Sequence, residues 1–298
     1  MNKRVLIFLT FLVIAELANA QSFYAVRHQR SLILVAGTGT STYFGELANN
    51  GDYIDAKLNV DVGLQYFFSN HISARAEMTW FSLKGSDAIA GDLGRVPRNL
   101  SFNSNNYEIS LTGAYNFLSN GTQYYRRPTF NIYGFSGIGV MYYNPTTIDK
   151  NGDKVALRPL ETELVRYSSF GIVIPLGVGI RFKVNPNFNI SVETGYRYTF
   201  TDYLDDVSTT HKDPSKFTDP LAASLSDRRP EIGLPLAADG FIRGNPNRKD
   251  GYMLLNAKVE YYLPWSFGAR NKINSIKQRR SNSMYRYKKG KLKRRQWN

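Results

Sequence analysis

Residues 186–201 alternate in polarity. Phe188, Ile190, Val192, Tyr196, Tyr198 and Phe200 take turns with Asn189, Ser191, Glu193, Arg197 and Thr199. A period of two puts one set on each face of an extended strand. The run is about twice the usual ~5–6 residues of a strand. A tilted strand needs roughly 9–11 residues to cross a bilayer. A face of Ile, Val and Tyr against lipid, backed by Glu193 and Arg197 on the enclosed side, is the pattern of a transmembrane β-barrel.

The same grammar recurs along the chain and predicts eight strands. They are Ser31–Ser41, Asp55–Phe68, His71–Leu83, Ser104–Leu118, Pro128–Tyr143, Phe170–Val184, the run described above, and Gly251–Leu263. Their connections alternate between long and short, as in an up-and-down barrel with short periplasmic turns and longer outer loops. The expected fold is all-β, an eight-stranded antiparallel up-and-down transmembrane barrel. Pro175 inside the sixth strand suggests a bulge. Asn151-Gly152 suggests a hairpin within the 144–169 loop. The segment Asp202–Asp250 is long enough to be functional or mobile. A lipocalin-like soluble barrel would carry the same alternation with its faces exchanged. Strand length, aromatic clusters such as Tyr66-Phe67-Phe68 and Tyr261-Tyr262, and mixed signs on the polar face favour the membrane.

The start of the chain reads as a secretory signal peptide. Lys3 and Arg4 precede an apolar run from Val5 to Ile14, and Ala18-Asn19-Ala20 is a small-x-small cleavage site. Residues 1–20 are therefore assigned to the signal, 21–30 to a periplasmic lead-in, 31–263 to the barrel and 264–298 to a periplasmic tail. An even strand number puts both termini on the periplasmic side of the cell outer membrane. No later stretch approaches the ~18 apolar residues of a spanning helix. A mean hydropathy of −0.36 suits a barrel, since every second strand residue faces a polar lumen. With no cysteine, disulfides, a lipoprotein anchor and thiolate metal sites are excluded.

The formal charge of +14 is concentrated at one end. The tail holds Arg270, Lys272, Lys277, Arg279, Arg280, Arg286, Lys288, Lys289, Lys291, Lys293, Arg294 and Arg295 and no acid. Such runs are commonly solvated and disordered. Behind a signal peptide the expected partners are anionic headgroups or an acidic protein surface rather than nucleic acid.

In this register the enclosed face gathers Asp61, Glu77, Glu108, Glu193 and Glu260 with Arg75, Arg181, Arg197 and Lys258. Eight strands leave a bore that side chains fill, and an unpaired buried charge is costly. These nine residues are expected to pair into an ionic plug rather than line a channel. No catalytic, cofactor or metal site is expected. Of His28, His71 and His211, only His211, near Asp206 and Asp213, is a candidate for hydrolysis. The Asp149-Lys150-Asn151-Gly152-Asp153 run departs from a calcium loop at Lys154 and Leu160. Asp202, Asp205 and Asp206 could bind a divalent ion, but a solvated loop start is the expectation.

Ser41-Thr42-Tyr43-Phe44-Gly45-Glu46-Leu47 resembles a passage of the PorG-like outer-membrane barrels of the type IX secretion system. Asn70-His71-Ile72-Ser73-Ala74-Arg75 and Asn105-Asn106-Tyr107-Glu108-Ile109 are similar to that family as well. The likeness covers roughly residues 31–200. It implies an eight-stranded barrel that contacts a periplasmic secretion ring and supports protein export; the residues themselves add the expectation that it is not an enzyme. The alternatives are a surface adhesin or receptor working through the 202–250 loop, and a barrel hydrolase.

Overall fold

The computed structural model describes residues 30–49, 56–91, 94–121 and 124–264. The signal-peptide assignment, nearly all of the lead-in and the basic tail lie outside them. Ten strands form in chain order: β1 (Leu32–Phe44), β2 (Lys57–Phe67), β3 (Ile72–Ser86), β4 (Ser101–Asn116), β5 (Phe130–Tyr142), β6 (Pro145–Ile148), β7 (Lys154–Ala156), β8 (Phe170–Lys183), β9 (Phe188–Thr199) and β10 (Gly251–Tyr262). Eight of them close into one antiparallel barrel, in the circular order β3-β2-β1-β10-β9-β8-β5-β4 and back to β3. β6 and β7 form a small hairpin that leans on the loop end of β4. Among the described residues no helix is long and apolar enough to cross a membrane.

Closure follows from pairing the first strand with the last. Ile33 lies opposite Tyr262 and Phe44 opposite Gly251. No edge of the eight-stranded cylinder is left open, so backbone donors and acceptors are met within the wall, a requirement in lipid. The pleat then sorts the side chains. Along β2, Leu58, Val60, Val62 and Leu64 are exposed while Asn59, Asp61 and Gln65 are buried. Along β9, Ile190 and Val192 point out and Glu193 and Arg197 are buried. The result is a continuous outer belt of Val, Ile, Leu and aromatic side chains. An exposed apolar surface of this extent marks contact with a membrane or a partner.

Several strands run past the expected ends. β1 continues through Tyr43 and Phe44, which the sequence places in a loop. β3 extends to Ser86, paired with Ser101 at the start of β4. Beside these extensions Ser41 Oγ lies 2.5 Å from the Ser82 carbonyl and 3.1 Å from that of Lys57, its one proton serving one of them at a time. The bulge expected at Pro175 is absent. The register between β5 and β8 is the same on both sides, from Ser136–Leu176 to Gly139–Val173. The two intervening rungs are missing, in keeping with the N–H that proline lacks.

The 202–250 segment is folded. It contains one short helix, α1 (Pro220–Ser226), capped by Asp219, and two 3₁₀ turns at Pro214–Lys216 and Arg229–Ile232. It sits on an apolar layer at the loop end of the barrel, where Tyr43, Phe81, Leu83, Phe102, Met141, Val173 and Leu254 meet Leu204, Val207 and Leu225.

Candidate functional site: an ionic lumen beneath a folded cap

All nine charged residues assigned to the lumen are buried. They fall into three levels. Nearest the short turns, Arg181 Nε lies 2.6 Å from Glu260 Oε2. Asn189 and Ser191 donate to the same carboxylate at 2.8 and 3.2 Å, and Arg181 also donates to Asn116 at 2.8 Å. At mid-barrel, Lys258 Nζ is 2.6 Å from Glu77, 3.0 Å from Glu193 and 3.3 Å from Asp61. Arg75 forks onto Glu193, with one bond of 3.0 Å, and lies 3.3 Å from Glu77. Tyr133 adds a donor to Glu193 at 2.6 Å. Nearest the cap, Arg197 stands 3.7 Å from Glu108, which also accepts from Tyr252 at 2.7 Å.

These contacts cross the bore. β3 and β9 are four places apart in the ring of eight, and so are β4 and β10. Arg75–Glu193 and Tyr252–Glu108 therefore each span the diameter. Space for this is made by glycine: a Cβ at Gly37 would come within 2.5 Å of Lys258 Cγ and 2.9 Å of Asp61 Oδ2. The turn end is closed by Arg127, which bonds the carbonyls of Pro186 and Asn185 at 2.9 and 3.0 Å. Its guanidinium also stacks 4.1 Å from the Tyr262 ring. The large inward side chains Tyr133, Phe135, Phe81 and Tyr252 escape a reading that expects only polar residues inside. Their signal is positional, since each occupies an inward slot of its strand's alternation.

The cap is held by a second polar network. Glu163 accepts from Ser208 N, Thr209 N and Thr209 Oγ1 at 2.9, 2.9 and 2.7 Å, and from Arg243 at 2.7 Å. Burial pushes its carboxyl up, but Arg243 and those donors outweigh it and hold it below the usual range. Arg98 pairs with Asp87 at 2.7 Å and donates to the Arg243 carbonyl, tying the β3–β4 connection to the cap. Asp206 accepts from Tyr167 at 2.6 Å and from Thr162. Burial raises its pKa to about 6 against the pull of Arg243.

The expectation of a solvated acidic loop start is corrected here. Asp202, Asp205 and Asp206 are all buried, because the cap folds over them. They also part company. Asp206 belongs to the Arg243 network, whereas Asp205 and Asp202 turn towards β1 and β10. Tyr43 Oη lies 2.8 Å from Asp205 Oδ2 and 2.7 Å from Asp250 Oδ1. Carboxylate oxygens of Glu46, Asp202 and Asp250 converge within 4.8 Å of one another. Gly45 allows this approach, since a Cβ there would sit 1.8 Å from Tyr43 Oη and 2.0 Å from Asp250 Oδ1. The Asp149–Asp153 run is a hairpin tip in which Asp149 accepts the N–H groups of Asn151 and Asp153, both at 2.8 Å.

His211 is buried in the cap, and its Nδ1 has no hydrogen-bond partner. Burial lowers its pKa to about 4, with Arg243 adding to the effect. Asp213 caps its own 3₁₀ turn by accepting from Ser215 N, and Asp206 faces Thr162 and Tyr167. Neither acid hydrogen-bonds His211. The ring lines a cleft of about 590 Å³ together with Arg95, Arg98, Arg229, Arg243 and Glu46. His71 sits at the turn end, its Nδ1 2.8 Å from the Asn116 carbonyl.

An apolar exterior around an ionic, cross-braced interior defines the class: this is a membrane-spanning β-barrel with the architecture of outer-membrane barrels. Within that class the chain belongs to the family described as "Domain of unknown function (DUF6089)", whose model matches residues 3–218. No curated protein matches the sequence significantly. Among solved structures the chain is similar to Neisserial surface protein A, at 10% identity and a TM-score of 0.41, over 78% of this chain and 97% of that one. It is also similar to a major outer membrane protein from Thermus thermophilus, at 13% identity and a TM-score of 0.40, over 78% and 99%. The attachment invasion locus protein Ail of Yersinia pestis matches at 13% identity and a TM-score of 0.37, over 78% and 100%. No residue role passes from these neighbours at such identity.

Proposed function

We propose that this protein is a non-enzymatic outer-membrane barrel that anchors or caps a periplasmic secretion assembly of the type IX kind and supports protein export. The observation that carries the reading is the cross-bracing of the lumen. A bore spanned by Arg75–Glu193 and Tyr252–Glu108 is not a conduit, which leaves the two ends as working surfaces. Barrel strands begin and end at the short-turn end, where Arg30 and Tyr262 meet. The short turns at that end and the basic segment 264–298 are the two surfaces proposed to engage the partner. With both termini periplasmic, twelve cations and no acid suit an acidic protein surface or anionic headgroups.

The test is deletion of residues 271–298 in intact cells. The truncated barrel is expected to insert normally, to lose co-purification with periplasmic ring proteins and to reduce export. Unchanged co-purification would remove the tether. A second reading, a surface adhesin or receptor, is favoured by the folded cap and its arginine-lined cleft. Replacing residues 202–250 with a short turn separates the two: surface binding lost with export intact would favour the adhesin. A third reading, a barrel hydrolase, would work through His211, and an unaltered phenotype in His211→Ala would remove it.

A further inference from the structure

We infer that Glu46, Asp202 and Asp250 form a divalent-cation site, calcium by its three carboxylates, that pins the cap to the barrel rim. The three residues come from the loop after β1, the loop after β9 and the residue before β10. An ion among them would fasten the first strand, the last strand and the cap at one point.

Four carboxyls, Glu46, Asp202, Asp205 and Asp250, gather here against the neighbouring cations Arg98, Arg248 and Lys249. Tyr43 has one hydroxyl proton, yet its oxygen sits within bonding distance of both Asp205 and Asp250. A single O–H donates to one acceptor, so the other contact needs a proton on a carboxyl or a cation nearby. Asp202 is 3% exposed. Its Oδ2 accepts from Ser208 at 2.7 Å, while its Oδ1 is buried with no partner. Both Glu46 carboxylate oxygens are also buried, turned towards Asp250 and the Asn245 backbone. Unpartnered buried carboxylate oxygens are costly. Arg98 reaches the Glu46 carbonyl, but its guanidinium is already committed to Asp87.

The donor set is all oxygen, which selects a hard cation over zinc or copper. Calcium takes roughly 6–8 oxygen ligands in a flexible geometry. Three carboxylates offered to one ion suit calcium, whose affinity rises with ligand charge and number. Magnesium, at ~2.0–2.1 Å, draws its ligands closer and keeps several waters. Glu46 also lines the 590 Å³ cleft, which supplies a route from solvent. The site stands on these residues alone and does not depend on the secretory role.

The experiment uses the full-length protein refolded in detergent and stripped with EDTA. Calcium chloride is titrated by calorimetry, with magnesium chloride alongside, and the thermal midpoint is followed in parallel. One calcium per chain is expected, bound more tightly than magnesium and raising the midpoint. Asp202→Asn and Glu46→Gln should each weaken calcium binding roughly tenfold or more, since affinity follows ligand charge. Asp239→Asn, which removes an exposed cap acid paired with Lys216, should bind as the parent does. Calcium should also slow proteolysis within residues 202–250 in the parent and not in Asp202→Asn. Absence of stoichiometric binding in the stripped parent, or undiminished binding in both ligand variants, overturns the inference. Calcium binding without cap protection removes the pinning role.

Discussion

Arg75 on β3 and Glu193 on β9 grip each other across the full width of the barrel, with one bond of 3.0 Å and Lys258 sharing the carboxylate at 3.0 Å. Removing one partner leaves an uncompensated charge in a closed interior, which costs about 3–5 kcal/mol. Glu193→Gln is expected to lower unfolding stability in detergent by that order. Arg75→Met with Glu193→Leu should lose less than the sum of the single changes. Strict additivity would show that the pair does not act as a unit.

The same cross-bracing predicts electrical silence. In planar bilayers the refolded protein should give no steady ohmic steps. Paired truncation of the diameter-spanning side chains, Tyr252→Ala with Arg75→Ala, should admit small currents. Stable steps from the unaltered protein would end the reading of the lumen as a plug.

The outer face carries its own test. Val192 lies mid-strand on β9, exposed and apolar, next to buried Glu193. Val192→Arg should destabilise the barrel in lipid by ~2–4 kcal/mol, the cost of a charge near the bilayer midplane. Tyr198→Arg, close to the rim, should cost about 0–1 kcal/mol. Equal costs at the two depths would contradict a membrane belt.

The cap has a pH signature when EDTA is present. Asp202 is raised from 3.8 to about 6 by burial, with Glu46 adding. A carboxyl with a raised folded pKa contributes stability that is full below about 4 and is lost as pH rises through about 6. Asp202→Asn keeps the neutral form at every pH. In EDTA the variant should therefore exceed the parent in stability above about pH 6 and match it near pH 4. His211, lowered from 6.5 to about 4, acts oppositely. Its contribution is full above about 6.5 and falls as pH drops through about 4. Parallel pH profiles for Asp202→Asn and the parent would refute the assignment of this group.

Gly45 is predicted to be intolerant of any side chain. A methyl group there would collide with Tyr43 Oη and Asp250 Oδ1. Gly45→Ala should speed proteolysis of the 202–250 segment while leaving the eight-stranded body resistant. An unaffected cleavage rate would mean that the rim relaxes at little cost.

Much of the wall was legible one residue at a time. Alternation in β2, β3, β9 and β10 is a local property of an extended chain, so the sequence names which side chains share a face. Asp61, Glu77, Glu193 and Lys258 could be grouped on that basis alone. The pattern changes meaning near the loop end: Phe81, Leu83, Met141 and Leu254 keep the inward slots but are apolar, because there the interior packs against the cap rather than against ions. Polarity by itself could not assign those residues, although position could. Ser41 to Leu47 stood out in the sequence as a likeness, without a reason for its residues. The structure supplies one: Ser41 ties strand ends, Tyr43 bridges two carboxyls, Gly45 leaves room, Glu46 joins the acid cluster and Leu47 enters the core.

The chain's own order of residues determined an eight-stranded ribbon with one greasy and one ionic face, since pleat and periodicity act between neighbours. Closure decided the rest. Only joining β1 to β10 and β3 to β4 encloses the ionic face and puts Arg75 opposite Glu193. Only the folding of residues 202–250 over the rim brings positions 46, 202 and 250 together, because their approach depends on packing across the barrel mouth and on no regularity along the chain.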